Sequence, residues 1–236
     1  TFDELNGPVA ADLSGNALHG NITGLATLEN GRFGKALYFN GNGDKVTVPY
    51  NAKLDLAQYT VSLWVKSVKG NEYYAGVFGR PGRAYNFWAG GSNGNTWFIH
   101  HRFKYDNNWN QGPANTAAVG PHGIWTHVAL TNDATTAVSY LNGTQLTTGG
   151  SGTLQYANNS LYFGARPDSG NGAWYEGLLD DVRLYDASLS AAEVASIHTA
   201  SDLGSKIDYL QYQLTAANDP SSWSVSELPE GLRFDA

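Results

Sequence analysis

One stretch of the chain combines a strand pattern with a carboxylate that could do chemistry. Residues Gly177–Tyr185 alternate like a half-buried β-strand, with Leu178, Val182 and Leu184 on one face. This alternation places Asp180 on the same apolar face. Because burying a lone carboxylate is very costly, Asp180 must be paired, hydrogen-bonded or bound to a cation. The stretch therefore predicts a core strand that also forms one wall of a charged site.

Three further side chains complete a candidate calcium-binding set with Asp180. Asp12 and Asn16 belong to a tight Asp-Leu-Ser-Gly-Asn turn, and Asp44 lies in a Gly/Asn/Asp turn between two predicted strands. Calcium prefers about six to eight hard oxygens, drawn from carboxylates, amides and backbone carbonyls in flexible loops. These four residues supply that mixture, so the sequence predicts a calcium ion as cofactor.

The calcium set has simpler alternatives. The turn at Asp12 can satisfy its own hydrogen bonds as an Asx turn, and Asp180 can pair with Arg183 or Lys35. By strand alternation Arg183 falls on the opposite face, which disfavours it as the partner of Asp180.

A second candidate site is built from aromatic and cationic side chains. Aromatic faces stack on sugar rings, while Arg and His side chains hydrogen-bond to hydroxyl groups. The candidate ligand-binding residues are Tyr73, Tyr74, Trp88, His100, Arg102, Trp109, Trp174 and Tyr175. Trp109, Trp174 and Tyr175 border polar loops, where exposure is expected. The alternative is that the aromatic residues pack in the core and that His100 and Arg102 lie on a solvated face of the sheet.

Composition narrows the class of protein. The chain has 236 residues, of which 42% are hydrophobic and 13% aromatic, and it carries a formal charge of −7. Acidic charge with scattered basic residues disfavours a nucleic-acid partner. No apolar run is long enough to span a membrane. No signal peptide opens the sequence, which is also what a start after a removed signal peptide would give. The absence of Cys rules out thiol catalysis and thiolate metal sites.

Short strands dominate the predicted elements. Turn signals recur at short intervals, and they predict an antiparallel β-sandwich of roughly a dozen strands with one helix. The helix is expected over Ala191–Ala200, after a Ser-x-x-Glu capping box. The polar stretch Lys104–Ala118 is expected to be a long surface loop. The main predicted strands are 36–39, 45–48, 59–68, 73–79, 84–89, 96–103, 124–131, 137–141, 144–147, 161–164 and 177–185.

The last part of the chain differs in character from the rest. Residues 201–236 are too few for a stable separate core, so they either pack on the sandwich or begin another module. We therefore expect a domain over residues 1–200 and a C-terminal extension over 201–236.

Several short motifs occur together in one order. They are Asp12-x-Ser-Gly-Asn16, Gly34-Lys-Ala-Leu-Tyr-Phe-Asn-Gly41, Val46-x-Val-Pro49, Val61-Ser-Leu-Trp-Val65, Trp125-x-His-Val-Ala129, Tyr140-Leu-Asn-Gly143 and Gly177-x-Leu-Asp-Asp-Val-Arg-Leu-Tyr185. Together they resemble the laminin-G-like, concanavalin A-like jelly-roll domain of bacterial extracellular proteins. The tail, with Ala217-Asn-Asp-Pro220 and Leu228-Pro-Glu-Gly-Leu232, resembles the start of an immunoglobulin-type repeat.

The resemblance implies an all-β jelly roll of two curved antiparallel sheets, often with a structural calcium. It implies binding of a carbohydrate or glycoconjugate by a non-catalytic, monomeric module of a larger secreted or surface protein. Two alternatives stay open: an adhesive or structural module that binds protein or peptide, and a polysaccharide lyase or glycoside hydrolase.

The catalytic alternative has little support in the residues. Concanavalin A-like glucanases carry a Glu-x-Asp-x-Glu strand, which this chain lacks, and the adjacent Asp180 and Asp181 face opposite ways. Alginate-lyase-like relatives carry a Gln-x-His strand, whereas here Phe98 precedes Ile99-His100. His100, Arg102 and Tyr105 could still abstract a proton beside a uronic acid. We therefore expect a module without enzymatic activity.

Overall fold

The computed structural model describes residues 2–3, 7–68, 74–91, 96–101, 103–105, 108–111, 119–150, 154, 158–166 and 173–199, with side chains omitted at 96, 98, 103–105 and 108–111. The C-terminal extension 201–236, including the expected immunoglobulin-type segment, lies outside these residues. Within the described ranges, no helix is long and apolar enough to cross a bilayer.

Nineteen short strands make up most of the described chain. They are β1 Val9–Ala10, β2 Gly20–Thr23, β3 Thr27–Asn30, β4 Lys35–Asn40, β5 Lys45–Val48, β6 Tyr59–Ser67, β7 Ala75–Arg80, β8 Ala84–Gly91, β9 Thr96–His100, β10 Phe103–Tyr105, β11 Asn108–Gln111, β12 Gly120–Pro121, β13 Thr126–Asn132, β14 Thr136–Leu141, β15 Thr144–Gly150, β16 Leu161–Phe163, β17 Ala165–Arg166, β18 Ala173–Trp174 and β19 Glu176–Tyr185. A 3₁₀ turn covers Ala52–Leu54, and helix α1 covers 191–199.

The strands form two large sheets that pack face to face. The ten-stranded sheet runs β1-β2-β5-β16-β7-β8-β9-β12, with β17 and β18 beside β7, and the seven-stranded sheet runs β15-β14-β13-β6-β19-β4-β3. All pairings are antiparallel except the one between β18 and β7. The all-β antiparallel sandwich predicted from the sequence, with one helix, is confirmed.

One expected loop contains regular structure instead. In the region predicted as the loop Lys104–Ala118, β10, which begins one residue earlier, pairs with β11 as a small antiparallel hairpin with an irregular register. Strands of three and four residues are too short for a reliable alternation signal, which needs about four to eight residues.

The hydrophobic core lies between the two large sheets. Strand β6 is central in its sheet, between β13 and β19, and every residue in it except Lys66 is buried. Facing strands of the ten-stranded sheet contribute aromatic rings to the same cluster. The largest fully buried side chains are Trp97, Tyr59, Tyr85, Tyr175, Phe39, Phe78 and Phe87. Each stabilises the fold by roughly 2–3 kcal/mol through removal of apolar surface from water.

Helix α1 covers part of the outer face of the seven-stranded sheet. The expected capping box forms, because Ser190 N donates to Glu193 Oε2 at 2.7 Å and Glu193 N donates to Ser190 Oγ at 3.3 Å. Val194 is fully buried against Ala129 and Tyr140 of the sheet. This contact gives the helix the apolar anchor that a nine-residue helix needs to be stable.

Candidate functional site

A row of aromatic rings crosses the outer face of the ten-stranded sheet. Trp88 in β8 and His100 in β9 are directly paired across the strands, and their rings stack at 5.5 Å with 9° between planes. Trp97 and Ile99 beside His100 lie in the core. The alternation expected for 96–100 is therefore present, with His100 on the outer face.

Two arginines lie against Trp88. The Cζ atom of Arg166 is 3.7 Å from the ring centroid of Trp88, and that of Arg83 is 5.0 Å away. A guanidinium held on an aromatic face is attracted by the ring quadrupole and keeps its planar donors oriented. Neither arginine was among the predicted site residues.

The position of Arg166 depends on a glycine beneath it. Strand β17 crosses so close to β7 that a Cβ at Gly76 would collide with the backbone carbonyl of Ala165. Gly76 also pairs with Trp88 on one side and with Trp174 on the other. Because nothing projects from Gly76, the guanidinium of Arg166 can lie over the neighbouring Trp88.

The row continues at both ends. Tyr74 is 36% exposed, and its ring lies 4.6 Å from that of His100. At the other end, Lys45 Nζ lies 5.9 Å from the ring of Trp174 and 6.0 Å from that of Tyr162. We call this set the aromatic face; its members are Lys45, Tyr74, Arg83, Trp88, His100, Tyr162, Arg166 and Trp174.

Exposure divides the aromatic face into a floor and a surface. Trp88 and His100 are only 5% and 6% exposed, so they form the floor and present little more than their edges. Tyr74 is the most exposed ring of the aromatic face, and Arg83, Arg166 and Trp174 are half-buried. A ligand would therefore meet mainly the tyrosine, the two guanidiniums and Trp174.

Tyr175 does not belong to this surface, contrary to the sequence prediction. It is completely buried and packs edge-on against Phe39 at 6.3 Å. Burial raises the pKa of its hydroxyl well above the ordinary value. The reason is strand alternation: Trp174 points outward, so its neighbour must point into the core.

Three other predicted ligand-binding residues cannot be placed. Tyr73 and Arg102 lie outside the described residues, and so does the side chain of Trp109, whose backbone belongs to β11. Of the eight predicted residues, the structure brings together Tyr74, Trp88, His100 and Trp174.

The face on which Asp180 lies was predicted wrongly. Strand β19 has a register shift between Asp180 and Arg183, and Asp181 has a φ of +45°. Such a bulge inserts an extra residue and reverses the alternation beyond it. Val182 and Leu184 pack on the core, whereas Asp180 pairs with Trp64 on the outer face of the sheet.

Asp180 is nevertheless fully buried. It accepts hydrogen bonds from Phe33 N at 2.9 Å and from Asp181 N at 2.7 Å. Burial raises its pKa to about 6, although these hydrogen bonds oppose the shift. Arg183 pairs with Asp181 through two contacts of 2.9 Å, so the alternative pairing of Arg183 with Asp180 is not observed.

The other expected calcium ligands are engaged in separate turns. Asp12 accepts from Ser14 N and Leu18 N, each at 2.9 Å, as in the Asx-turn alternative. Burial alone would raise the pKa of Asp12, but the hydrogen bonds outweigh burial and lower this pKa overall. Asn16 accepts from Lys53 Nζ at 3.1 Å.

Asp44 serves a third turn. It is 1% exposed and accepts from Leu25 N at 2.5 Å and from Asn40 N at 2.9 Å. Among the residues whose structure is described, no three acidic or histidine side chains are grouped to hold a metal ion. Asp12, Asp44 and Asp180 therefore do not form the expected joint set of ligands.

Calcium binding itself stays a prediction, because backbone carbonyls can supply many of the ligands. Calorimetry on chelator-treated protein should show binding of calcium, and the melting temperature should rise with calcium concentration because the ion binds only the folded state. Magnesium at the same concentration is the control. An unchanged melting temperature with no heat of binding would contradict the prediction.

A buried hydroxyl–imidazole pair lies under helix α1. Ser62 Oγ is 2.8 Å from His127 Nε2, and His198 of the helix lies 5.4 Å from the His127 ring. A catalytic triad needs a third group on Nδ1 of the histidine, yet this atom is buried without a hydrogen-bond partner. Burial lowers the pKa of His127 to about 4. The pair is therefore buried where the helix packs against the sheet, and His127 lacks the third group of a triad among the described residues.

The two antiparallel sheets and their topology define a β-sandwich of the jelly-roll type. The family model of the Concanavalin A-like lectin/glucanases superfamily matches residues 40–195. The chain therefore belongs to this superfamily. No curated protein matches the chain.

Solved structures share this fold. Domain 4 of AbnA, a GH43 extracellular arabinanase from Geobacillus stearothermophilus in complex with arabinotriose, has a TM-score of 0.58 at 24% identity, over 78% of this chain and 91% of that chain. The binding domain of Paraclostridial Mosquitocidal Protein 1 has a TM-score of 0.58 at 17% identity, over 83% of this chain and 50% of that chain. Trypanosoma rangeli sialidase in complex with sialic acid has a TM-score of 0.60 at 18% identity, over 84% of this chain and 32% of that chain. At these identities the likeness is one of fold.

Proposed function

We propose that this domain is a non-catalytic carbohydrate-binding module that works outside the cell within a larger protein. The observation that carries the proposal is the stacking of Arg166 and Arg83 on Trp88, beside the exposed ring of Tyr74. Sugars present apolar ring faces and hydroxyl groups together, so a site of aromatic planes and oriented donors suits them.

Preorganisation is the physical advantage of this arrangement. An exposed arginine loses side-chain freedom when it binds a ligand, which weakens binding. Arg166 is already held on an indole that is itself fixed by His100. Its donors therefore reach a sugar hydroxyl at a smaller entropic cost, while Tyr74 or Trp174 offers a plane for the sugar ring.

The chemistry of the aromatic face supports binding over hydrolysis. Glycoside hydrolysis ordinarily requires two carboxyl groups on either side of the scissile bond. The residues that define the aromatic face are aromatic, imidazole or cationic, and none is a carboxylate.

The relatives of similar fold support the same class of function. Domain 4 of AbnA was solved with arabinotriose, belongs to an extracellular enzyme, and is covered almost completely by this chain. The sialidase is about three times longer than the matched part. A longer protein with several domains is therefore the expected setting for this domain.

A glycan array tests the proposal, followed by calorimetry with the oligosaccharides that bind. The panel contains neutral and acidic oligosaccharides, including arabino-oligosaccharides and sialylated glycans. We expect saturable binding of at least one class without release of reducing sugar or unsaturated product. Absence of binding across the panel, or turnover of a bound glycan, would overturn the proposal.

A further inference from the structure

A second feature lies inside the sandwich, on the opposite side of the ten-stranded sheet from the aromatic face. A cavity of about 800 Å³ opens between the two large sheets. Strands β5, β7 and β16 form one wall and β19 forms the other, and the turn 11–18 and the 3₁₀ turn Ala52–Leu54 border it. This volume lies within the range of roughly 300–1,000 Å³ that is typical of small-molecule sites.

The walls of the cavity are apolar. They include Leu18, Leu54, Phe78, Leu161, Phe163 and Leu184. Phe163 is half-buried and stacks on the buried Phe78 at 5.2 Å with 14° between planes, so the core fixes the ring of Phe163 in this wall. Water is poorly held against such walls because it finds few hydrogen-bond partners there.

Polar groups lie along the lining as well. Asp181 and Arg183 form an ion pair in which the side chain of Arg183 is 41% exposed. Lys53 and Asn16 are hydrogen-bonded to each other and also line the cavity. An apolar interior with a few polar groups is the usual composition of a ligand site.

The backbone at this wall is strained. Asp181 adopts a φ of +45°, in a region that residues with side chains seldom occupy, and it lies in the bulge of β19. Strained residues and bulges are concentrated next to binding and catalytic sites, where they aim a side chain. Here the bulge turns Val182 and Leu184 into the cavity wall while Asp181 and Arg183 meet as a pair.

We propose that this cavity binds a small amphipathic molecule, with an apolar chain or ring inside and a hydrogen-bonding head that is not anionic among the polar lining groups. The charges of the lining disfavour an anionic head. Asp12, Asp181 and Asp186 face only two cations, Lys53 and Arg183, so an anionic head would meet net negative charge. This site is independent of the carbohydrate-binding role proposed for the aromatic face.

Displacement of a neutral fluorescent dye, N-phenyl-1-naphthylamine, tests the proposal on the full chain. Octyl glucoside below its micellar concentration should displace the dye with one-to-one stoichiometry, and octanoate should be at least fivefold weaker. Glucose alone should not displace the dye, because the apolar chain provides the contact with the walls.

Two cavity-filling variants locate the binding. Leu184→Trp and Leu18→Trp each add volume to a wall and should weaken dye binding at least tenfold, with folding checked by circular dichroism. Arg166→Ala is the matched control on the aromatic face and should leave dye binding unchanged. The proposal is overturned if octyl glucoside does not displace the dye, if octanoate displaces it better, or if a folded filling variant binds it normally.

Discussion

Replacing Arg166 by alanine is expected to weaken glycan binding at least tenfold. The variant removes a stacked cation together with hydrogen-bond donors to the sugar, and each contact is worth about 1 kcal/mol or more. A loss of about 1.4 kcal/mol already corresponds to tenfold in affinity. Isothermal titration calorimetry with the best glycan of the array measures the change.

The matched control is another arginine that lies on a tryptophan. The Cζ atom of Arg32 is 4.8 Å from the ring of Trp64, on the outer face of the other sheet. Arg32→Ala removes a similar contact far from the proposed site, so affinity should not change. Arg166→Lys keeps the charge without the planar fork and should bind weakly as well. If Arg166→Ala binds like the wild type, the aromatic face is not the site.

Acidification from pH 7 to pH 4 is expected to destabilise the domain by roughly 4 kcal/mol, a large part of the stability of a typical domain. Burial lowers the pKa of His127 to about 4 and that of His101 to about 3, from 6.5. The unfolded chain therefore binds protons first as the pH falls below 6.5. The contribution of the two neutral histidines to the free energy of unfolding is therefore complete above pH 6.5 and is lost as the pH falls below that value.

Asp180 acts in the opposite direction over the same range. Its pKa is raised from 3.8 to about 6 by burial, so the folded state takes up this proton first as the pH falls. The resulting stabilisation at pH 4 is roughly 2 kcal/mol, against a loss of roughly 3 kcal/mol for each histidine. The two histidines outweigh the single carboxyl group, so the net effect of acid is loss of stability.

Urea unfolding in calcium-free buffer at several pH values measures this dependence. His127→Gln can keep a hydrogen bond to Ser62 but does not titrate, so its stability should fall less steeply between pH 6.5 and 4. Asp180→Asn removes the compensating group and should make the fall steeper. A stability that is flat or rises on acidification would contradict the assignment of buried neutral histidines.

The sequence was informative where local pattern and tertiary structure agree. Strand β5 was predicted with its observed bounds, β6 ends one residue earlier than expected, and the capping box of α1 is present. These elements are specified by neighbours in the sequence: alternation fixes the buried face of a strand, and a serine and a glutamate fix the start of the helix.

The prediction failed where distant segments decide the outcome. Alternation alone predicted that Asp180 faces the core, but the bulge at Asp181 changes the register of the strand. No residue type in this stretch indicates the bulge. Arg166 was not predicted as a site residue, because its contact with Trp88 depends on β17 crossing over Gly76. A glycine inside an apolar strand signals a close approach of another backbone, and this was the one clue available.

The ends of the ten-stranded sheet have a consequence for how the domain behaves beside copies of itself. Within the described part of the chain its outermost strands, β1 and β12, contain only two residues each, and β12 ends in Pro121, which has no amide hydrogen. A row of unpaired backbone groups is what allows two sheets to join edge to edge and precipitate. Such short edge strands offer little template for pairing, so this sheet should join poorly to the sheet of a neighbouring copy.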